Sequence, residues 1–426
     1  MAISREFFTK TLPFAASLVS IALMGVSFVI LLVRFVRLAL GKKDVAGMGK
    51  NSYGGVRALV CVALIVLASR LAVYALAWGM ACLKNGFLVS FADSFNSLWL
   101  KWDARHYLKI AQQGYVNTGD DRLMLVFFPL YPWTVRAVHA IAGDWLLSAA
   151  IVSTIFAVGA GVMLYMLCAR CYGAATAKWA LAYFLLNPYS IFLNAPYSES
   201  MFLFFTLCAL YLCAQGKLGW AGIFGALSAL TRMLGLVVLG VIVITTLRTI
   251  LERRCRDRAQ KAVWGLFCAL LVGLGFAAYL ALNIRVSGAP FTFMQYQKEN
   301  WYQEFGSFWN SVRTTVYYLH ADWGTPDGWY TWLAQLIAMA YVFTLLIPTS
   351  RKVSIEHGAY SWAYLFIALA PTWLLSGPRY IFGMATLPIL QAEAFESRHV
   401  HRICLAVSFA LLLVIMYGYC IAQEVF

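Results

Sequence analysis

The sequence predicts an all-α, polytopic transmembrane helical bundle, and three observations predict it. Of 426 residues, 62% are hydrophobic and only 12% are charged, too few charges to cover a soluble protein of this size. Apolar runs of about twenty residues recur from end to end, the length a helix needs to cross roughly 30 Å of hydrocarbon. The basic clusters, at 34–57, 248–261, 351–352 and 398–402, all fall in short connections between apolar runs, as cytoplasmic loops do. A net charge of +15 distributed in this way marks topology and argues against a nucleic-acid partner.

Placing the basic loops on the cytoplasmic side forces an even number of crossings between any two of them. A first span over about 12–33 runs inward and a second over about 58–81 returns, so 82–144 becomes an outer segment. The first run is too long for a signal-peptide core and lacks a convincing cleavage site, so it is expected to be retained. FFPLYPWTVRAVHAIAG at 127–143 opens with two prolines and carries Arg136 and His139, which predicts an interfacial helix rather than a crossing. Spans over about 145–169, 178–194 and 199–215 follow. The apolar run 220–250 joins two cytoplasmic ends, so it is expected to hold two short helices meeting at Thr231 and Arg232. A span over about 262–284 leads to a second outer segment, 285–330, rich in aromatics and glycine as a lid on the bilayer surface would be. Spans over about 330–348, 358–376, 380–395 and 403–421 bring the total to about twelve in one membrane domain, 1–426. The proposed inner loops hold 19 Lys and Arg against 6 Asp and Glu, and the outer segments 13 against 12.

Ten cysteines form no framework, since most lie inside apolar runs as packing residues. Cys168 and Cys171 have CxxC spacing but no second pair or histidine at zinc-site distance. No Asn-x-Ser/Thr sequon occurs, which fits a bacterial cell membrane; an endoplasmic reticulum membrane is the alternative.

Chemistry concentrates in one polar stretch, WLKWDARHYLKIAQQGY at 99–115, which sets Asp103 among Lys101, Trp102, Arg105, His106 and Tyr107. None of the eighteen Asp and Glu residues falls at the centre of an expected span, where an ion-coupled carrier usually keeps one. The outer face instead offers Asp103, Glu199 and the cations Arg136, Arg232 and Arg379. Carboxylates beside arginines at the hydrocarbon boundary suit an amphiphilic phosphate substrate, its tail between helices and its phosphate paired by guanidinium groups. Group transfer from such a donor needs a base for the acceptor hydroxyl and cations for the departing phosphate, but no general acid. Plainer roles stand beside these. Asp103 could pair with Arg105 or Lys101, Glu199 could cap the helix starting near Ser198, and Arg232 and Arg379 could anchor helix ends. His106 could be an interfacial polar residue. Arg70, mid-span, must face the bundle, where it meets either substrate or a neighbouring helix. No metal is expected, because Asp103, His106 and Glu199 have no ligand spacing, and no cofactor is expected either.

WDARHYLKIAQQGY, FFPLYPWTVRA, NPYSIFLNAPYSESMF at 187–202, ALTRMLGL at 229–236 and SGPRY at 376–380 occur in that order. The ordered set resembles the PIG-V family of GPI mannosyltransferase II-like proteins, over about 58–395. The resemblance implies a GT-C glycosyltransferase fold, a polyprenyl-phosphate-mannose donor and inverting transfer to a hydroxyl of a lipid-linked or glycolipid acceptor on the extracytoplasmic side. It implies Asp103 as the catalytic base. Trp102, Arg105, His106, Tyr107, Tyr197, Glu199, Arg232, Arg379, Tyr380 and Arg70 are the residues expected at the substrate. The rival expectation is a non-enzymatic flippase for polyprenyl-linked sugars, indifferent to loss of Asp103.

Overall fold

The computed structural model describes residues 6–42, 44, 54–252 and 257–421, so parts of the basic clusters at 34–57 and 248–261 lie outside the described residues. Within them the chain is helical, with one isolated bridge between Phe305 and Pro371. In chain order the helices are α1 (Leu12–Ala39), α2 (Gly55–Asn85), α3 (Phe91–Trp99), α4 (Asp103–Gln113), α5 (Leu130–Ala142) and α6 (Trp145–Tyr172). There follow α7 (Ala174–Leu185), α8 (Glu199–Ala214), α9 (Leu218–Thr231), α10 (Val237–Glu252), α11 (Arg258–Ser287) and α12 (Thr292–Trp301). The remainder are α13 (Phe308–Ala321), α14 (Ala334–Lys352), α15 (Ile355–Ala368), α16 (Gly377–Phe382), α17 (Leu387–Ala394) and α18 (Arg398–Cys420).

Seven of the twelve expected crossings are helices long and apolar enough to span a membrane: those built on α1, α2, α6, α10, α11, α14 and α18. This is an integral membrane protein. The other five are shorter: α8 and α9 are close to their expected lengths, and the remaining three break where single-residue hydropathy did not show it. The span expected over 178–194 stops at Leu185 and continues as turns and a 3-10 segment, Ser190–Leu193. That expected over 358–376 ends at Ala368, and that over 380–395 is split into α16 and α17. The 127–143 stretch holds a helix, α5, which meets the 3-10 segment Asp120–Val126 at 107° with Pro129 at the corner, so the two do not form one straight crossing.

The 220–250 run breaks where charge parity required. Arg232 is extended (φ −156°, ψ 145°), and the 3-10 turn Met233–Leu236 then leads into α10. A Cβ on Gly235 would collide with the backbone of Ser228 and Ala229, so only glycine lets this turn fold back on α9. Gly222 and Gly225 of α9 and Gly275 of α11 likewise allow close approach, the small-residue packing that substitutes for hydrophobic drive inside a bilayer.

Polar contacts sort the helix ends into two sets. In one, Arg34 bonds Asp44 and the carbonyls of Ser350 and Val353, Arg248 pairs with Glu356, Tyr172 bonds His357, and Lys352 meets Glu396. In the other, Phe8 stacks on His320, Lys101 bonds the carbonyl of Tyr419, and Asp103, Glu199, Arg232 and Arg379 converge. These are the groupings that the loop-charge argument demands.

Candidate active site

The four convergent charges come from four separate elements. Asp103 opens α4 in its first turn, where the helix dipole favours a carboxylate. Glu199 opens α8, Arg232 sits at the α9–α10 break, and Arg379 lies on the short helix α16. Arg379 Nη1 lies 2.9 Å from Asp103 Oδ2, and its Nε lies 3.2 Å from Glu199 Oε1. Arg232 Nη1 reaches the same Glu199 oxygen at 2.6 Å. The charges therefore run Asp103, Arg379, Glu199, Arg232, alternating in sign. Side-chain exposure is 25% for Asp103 and 16% for Arg232, against 7% for Arg379 and 5% for Glu199, so the two ends of the row face open space and Glu199 underlies it. Aromatic faces hold the guanidinium groups. Arg379 lies 5.2 Å from the Tyr197 ring and 5.6 Å from those of Phe192 and Tyr380, and Arg232 lies 5.3 Å from Tyr380.

The open space is a cavity of about 570 Å³, within the range of ligand-sized sites. Asp103, Arg232 and Arg379 line it, with Trp102, His106, Tyr107 and Tyr380. Met233, Leu234, Ile367 and Ala368 give it an apolar side. His106 stacks on Phe127 at 5.1 Å; burial lowers its pKa below the ordinary value, with the Asp103 charge opposing the shift. Tyr107 shares a hydrogen bond of 2.9 Å with Ser198, and burial raises its pKa. Among the described residues, the non-glycine residues at positive φ are Trp102 (46°) and Tyr302 (54°), and both line this cavity. Such backbone costs of order 1–3 kcal/mol per residue and persists only where the surroundings enforce it.

Other expected residues fall elsewhere. Tyr197 and Glu199 are buried behind the arginines and do not line the cavity. Arg105 is exposed and bonds the carbonyl of Leu100, while Lys101, its pKa pushed down to about 8 by burial, bonds the end of α18. Neither is the partner of Asp103. Arg136 donates to the carbonyl of Ala111 at 2.6 Å and so caps the C-terminus of α4, and it does not line the cavity. Arg70 is fully buried outside the cavity, bonded to the carbonyl of Ser190 (2.8 Å) and to Asn194 Oδ1 (3.1 Å). It ties α2 to the turn that precedes α8. Replacing it with methionine is expected to cost about 2–3 kcal/mol by stranding those acceptors, while the rate per folded molecule stays unchanged. Thermal midpoints alongside activity normalised to folded protein check this.

One group of lining residues lies on α12, Phe293, Gln297, Asn300 and Trp301, with Tyr302 and Gln303 after it; of these only Trp301 and Tyr302 stood out from the sequence, within an aromatic belt over 301–332 of which some rings could stack on sugar. Their spacing of i, i+4, i+7 and i+8 was the available signal for a shared helix face. The lid expectation for 285–330 weighed the rings of that stretch and not its carboxamides.

A family model described as Mannosyltransferase (PIG-V) matches residues 56–302. The chain belongs to the PIG-V mannosyltransferase family. The match holds Asp103, Glu199 and Arg232 and ends before Arg379, short of the 58–395 expected from the motifs. Among curated relatives, GPI alpha-1,6-mannosyltransferase 2 of Rattus norvegicus is 31% identical over 215 residues, covering 46% of this chain and 39% of the relative. GPI mannosyltransferase 2 of Drosophila pseudoobscura pseudoobscura is 31% identical over 194 residues, 41% of each chain. The chain thus spans about two fifths of the length of the curated relatives it matches. Among solved structures, ArnT from Cupriavidus metallidurans bound to undecaprenyl phosphate is similar over 87% of this chain and 72% of that one, with TM-score 0.48 and 15% identity. The Archaeoglobus fulgidus oligosaccharyltransferase in its apo form is similar over 84% and 56%, with TM-score 0.39 and 12% identity.

Proposed function

We propose that this PIG-V family member is a GT-C mannosyltransferase that moves mannose from a polyprenyl-phosphate-mannose donor to a hydroxyl of a lipid-linked or glycolipid acceptor, with inversion, on the extracytoplasmic face. The observation that carries the reading is the alternating row Asp103, Arg379, Glu199, Arg232 along a cavity with an apolar side. The polyprenyl tail lies against Met233, Leu234, Ile367 and Ala368, and the donor phosphate meets Arg232 and Arg379. Asp103 takes the proton of the acceptor hydroxyl. That oxygen bonds to the anomeric carbon as the bond from this carbon to the phosphate oxygen breaks, and the electron pair leaves with polyprenyl phosphate. The two guanidinium groups stabilise the charge that develops there. A base at one end of the row and a cation at the other are what a single in-line displacement requires.

The extracytoplasmic assignment rests on the basic loops, since the four site residues belong to the set of helix ends that lacks the basic clusters. Incubating the purified full chain with radiolabelled polyprenyl-phosphate mannose and a membrane lipid extract is expected to label one lipid class, whose mass gains one hexose with inverted configuration. A protein that moves the donor across liposomes without cleaving it would instead be a carrier, and the transfer reading would fall.

A further inference from the structure

The proposed transfer leaves open what holds the acceptor, and α12 addresses it. Phe293, Gln297, Asn300 and Trp301 occupy one stripe of this helix on the cavity, and the chain continues along the same wall with Tyr302 and Gln303. Three of these are neutral carboxamides, each offering both donors and an acceptor, the set that reads sugar hydroxyls. Gln297 Nε2 already donates to Gln303 Oε1 at 3.1 Å, which couples the helix to the segment after it. Trp301 and Tyr302 supply flat faces, and Tyr302 is 74% exposed although its backbone is held left-handed. The charged residues of α12 take other partners: Lys298 pairs with Glu304, and Glu299 lies 3.8 Å from Arg122. The stripe on the cavity therefore carries no charge.

Its neighbourhood tells donor from acceptor. Trp301 lies 6.1 Å from Phe127, and Phe127 stacks on His106, one turn along α4 from Asp103. The stripe is thus continuous with the base rather than with the arginines that would hold the phosphate. A bridge fixes this arrangement: Gly306 donates to Ala370 (3.0 Å) and Thr372 to Glu304 (2.9 Å), fastening the segment after α12 to the strand of chain that leads to Arg379.

We propose that Gln297, Asn300 and Gln303, flanked by Trp301 and Tyr302, form the acceptor subsite and select a neutral sugar or polyol headgroup. The proposal rests on the transfer reading above, so its test needs a readout of binding as well as of transfer. The full chain in nanodiscs is titrated with octyl α-mannoside, with octyl glucuronide as a charged analogue and decanol as a bare hydroxyl; binding is followed by tryptophan fluorescence and transfer by radiolabel. Wild type is expected to prefer the mannoside. Gln297→Leu with Asn300→Leu should raise the acceptor Kd and KM at least about tenfold, with polyprenyl-phosphate Kd within about twofold; Lys298→Ala should change neither. Asn300 is exposed, so the single Asn300→Leu variant gives the same reading if the pair does not fold. Mannoside binding that is lost in the variants, with no transfer by wild type, would sink the transfer reading and leave the subsite standing. Intact transfer with unchanged acceptor KM, equal loss of polyprenyl-phosphate affinity, or preference for the glucuronide or decanol would overturn the subsite.

Discussion

Asp103→Asn is expected to lower mannosyl transfer on the order of 10³-fold while the protein folds and still binds polyprenyl phosphate. The amide keeps the size of the carboxylate and can still accept from Arg379, so the row is perturbed only at its exposed end. What disappears is the ability to take a proton from an incoming hydroxyl, and with it the negative charge that favours the proton's arrival. Initial rates with labelled donor, beside thermal midpoints and polyprenyl-phosphate binding, separate these effects. A variant with even half the wild-type rate would move the base elsewhere, and His106, one turn along the same helix, would then be tested first. The sign of its pKa shift matters there: burial lowers it, so above its ordinary value the ring is neutral and able to accept a proton.

Arg379→Ala should do more damage, because two carboxylates and three aromatic rings share this one guanidinium. Removing one partner from a buried ion pair costs about 3–5 kcal/mol, since the charge left behind has lost both water and its counterion. Glu199, nearly inaccessible, would keep only Arg232. A lower thermal midpoint and loss of transfer are both expected. Arg379→Lys distinguishes charge from shape. A single ammonium cannot bridge Asp103 and Glu199 from opposite edges as a planar fork does, so part of the stability should return while transfer stays about 10²-fold down. Lysine at wild-type rate would show that the fork is not required. Glu199 lies between the two arginines without lining the cavity.

Much of this arrangement was legible beforehand, for reasons that differ by residue. The break at Arg232 followed from charge parity, since two basic ends cannot be joined by one crossing, and the helix does break there. The prolines of 127–143 argued against one straight crossing there, and the chain turns by 107° beside Pro129. The residues of the ionic row were all named, but not their wiring. Local sequence offered Arg105 and Lys101 as partners for Asp103, and both turned to backbone carbonyls at the free ends of α3 and α18. The partner proved to be 276 positions away, a pairing that no periodicity encodes. Arg70 was open both ways for a related reason: a buried guanidinium reads alike whether it meets a phosphate or, as here, the carbonyl of Ser190. Hydropathy overcounted full-length spans because it does not register turns inside apolar sequence, as at 186–198 and 383–386.

The left-handed backbone at Trp102 and Tyr302 has a consequence for how this protein can vary. Glycine would relieve both positions, so selection for robustness alone would drift toward it, yet each indole or phenol is part of the cavity wall. Backbone relief and the shape of the cavity therefore pull in opposite directions at the lip of the pocket. A lineage that keeps large rings there accepts a less durable molecule in exchange for a better-shaped one.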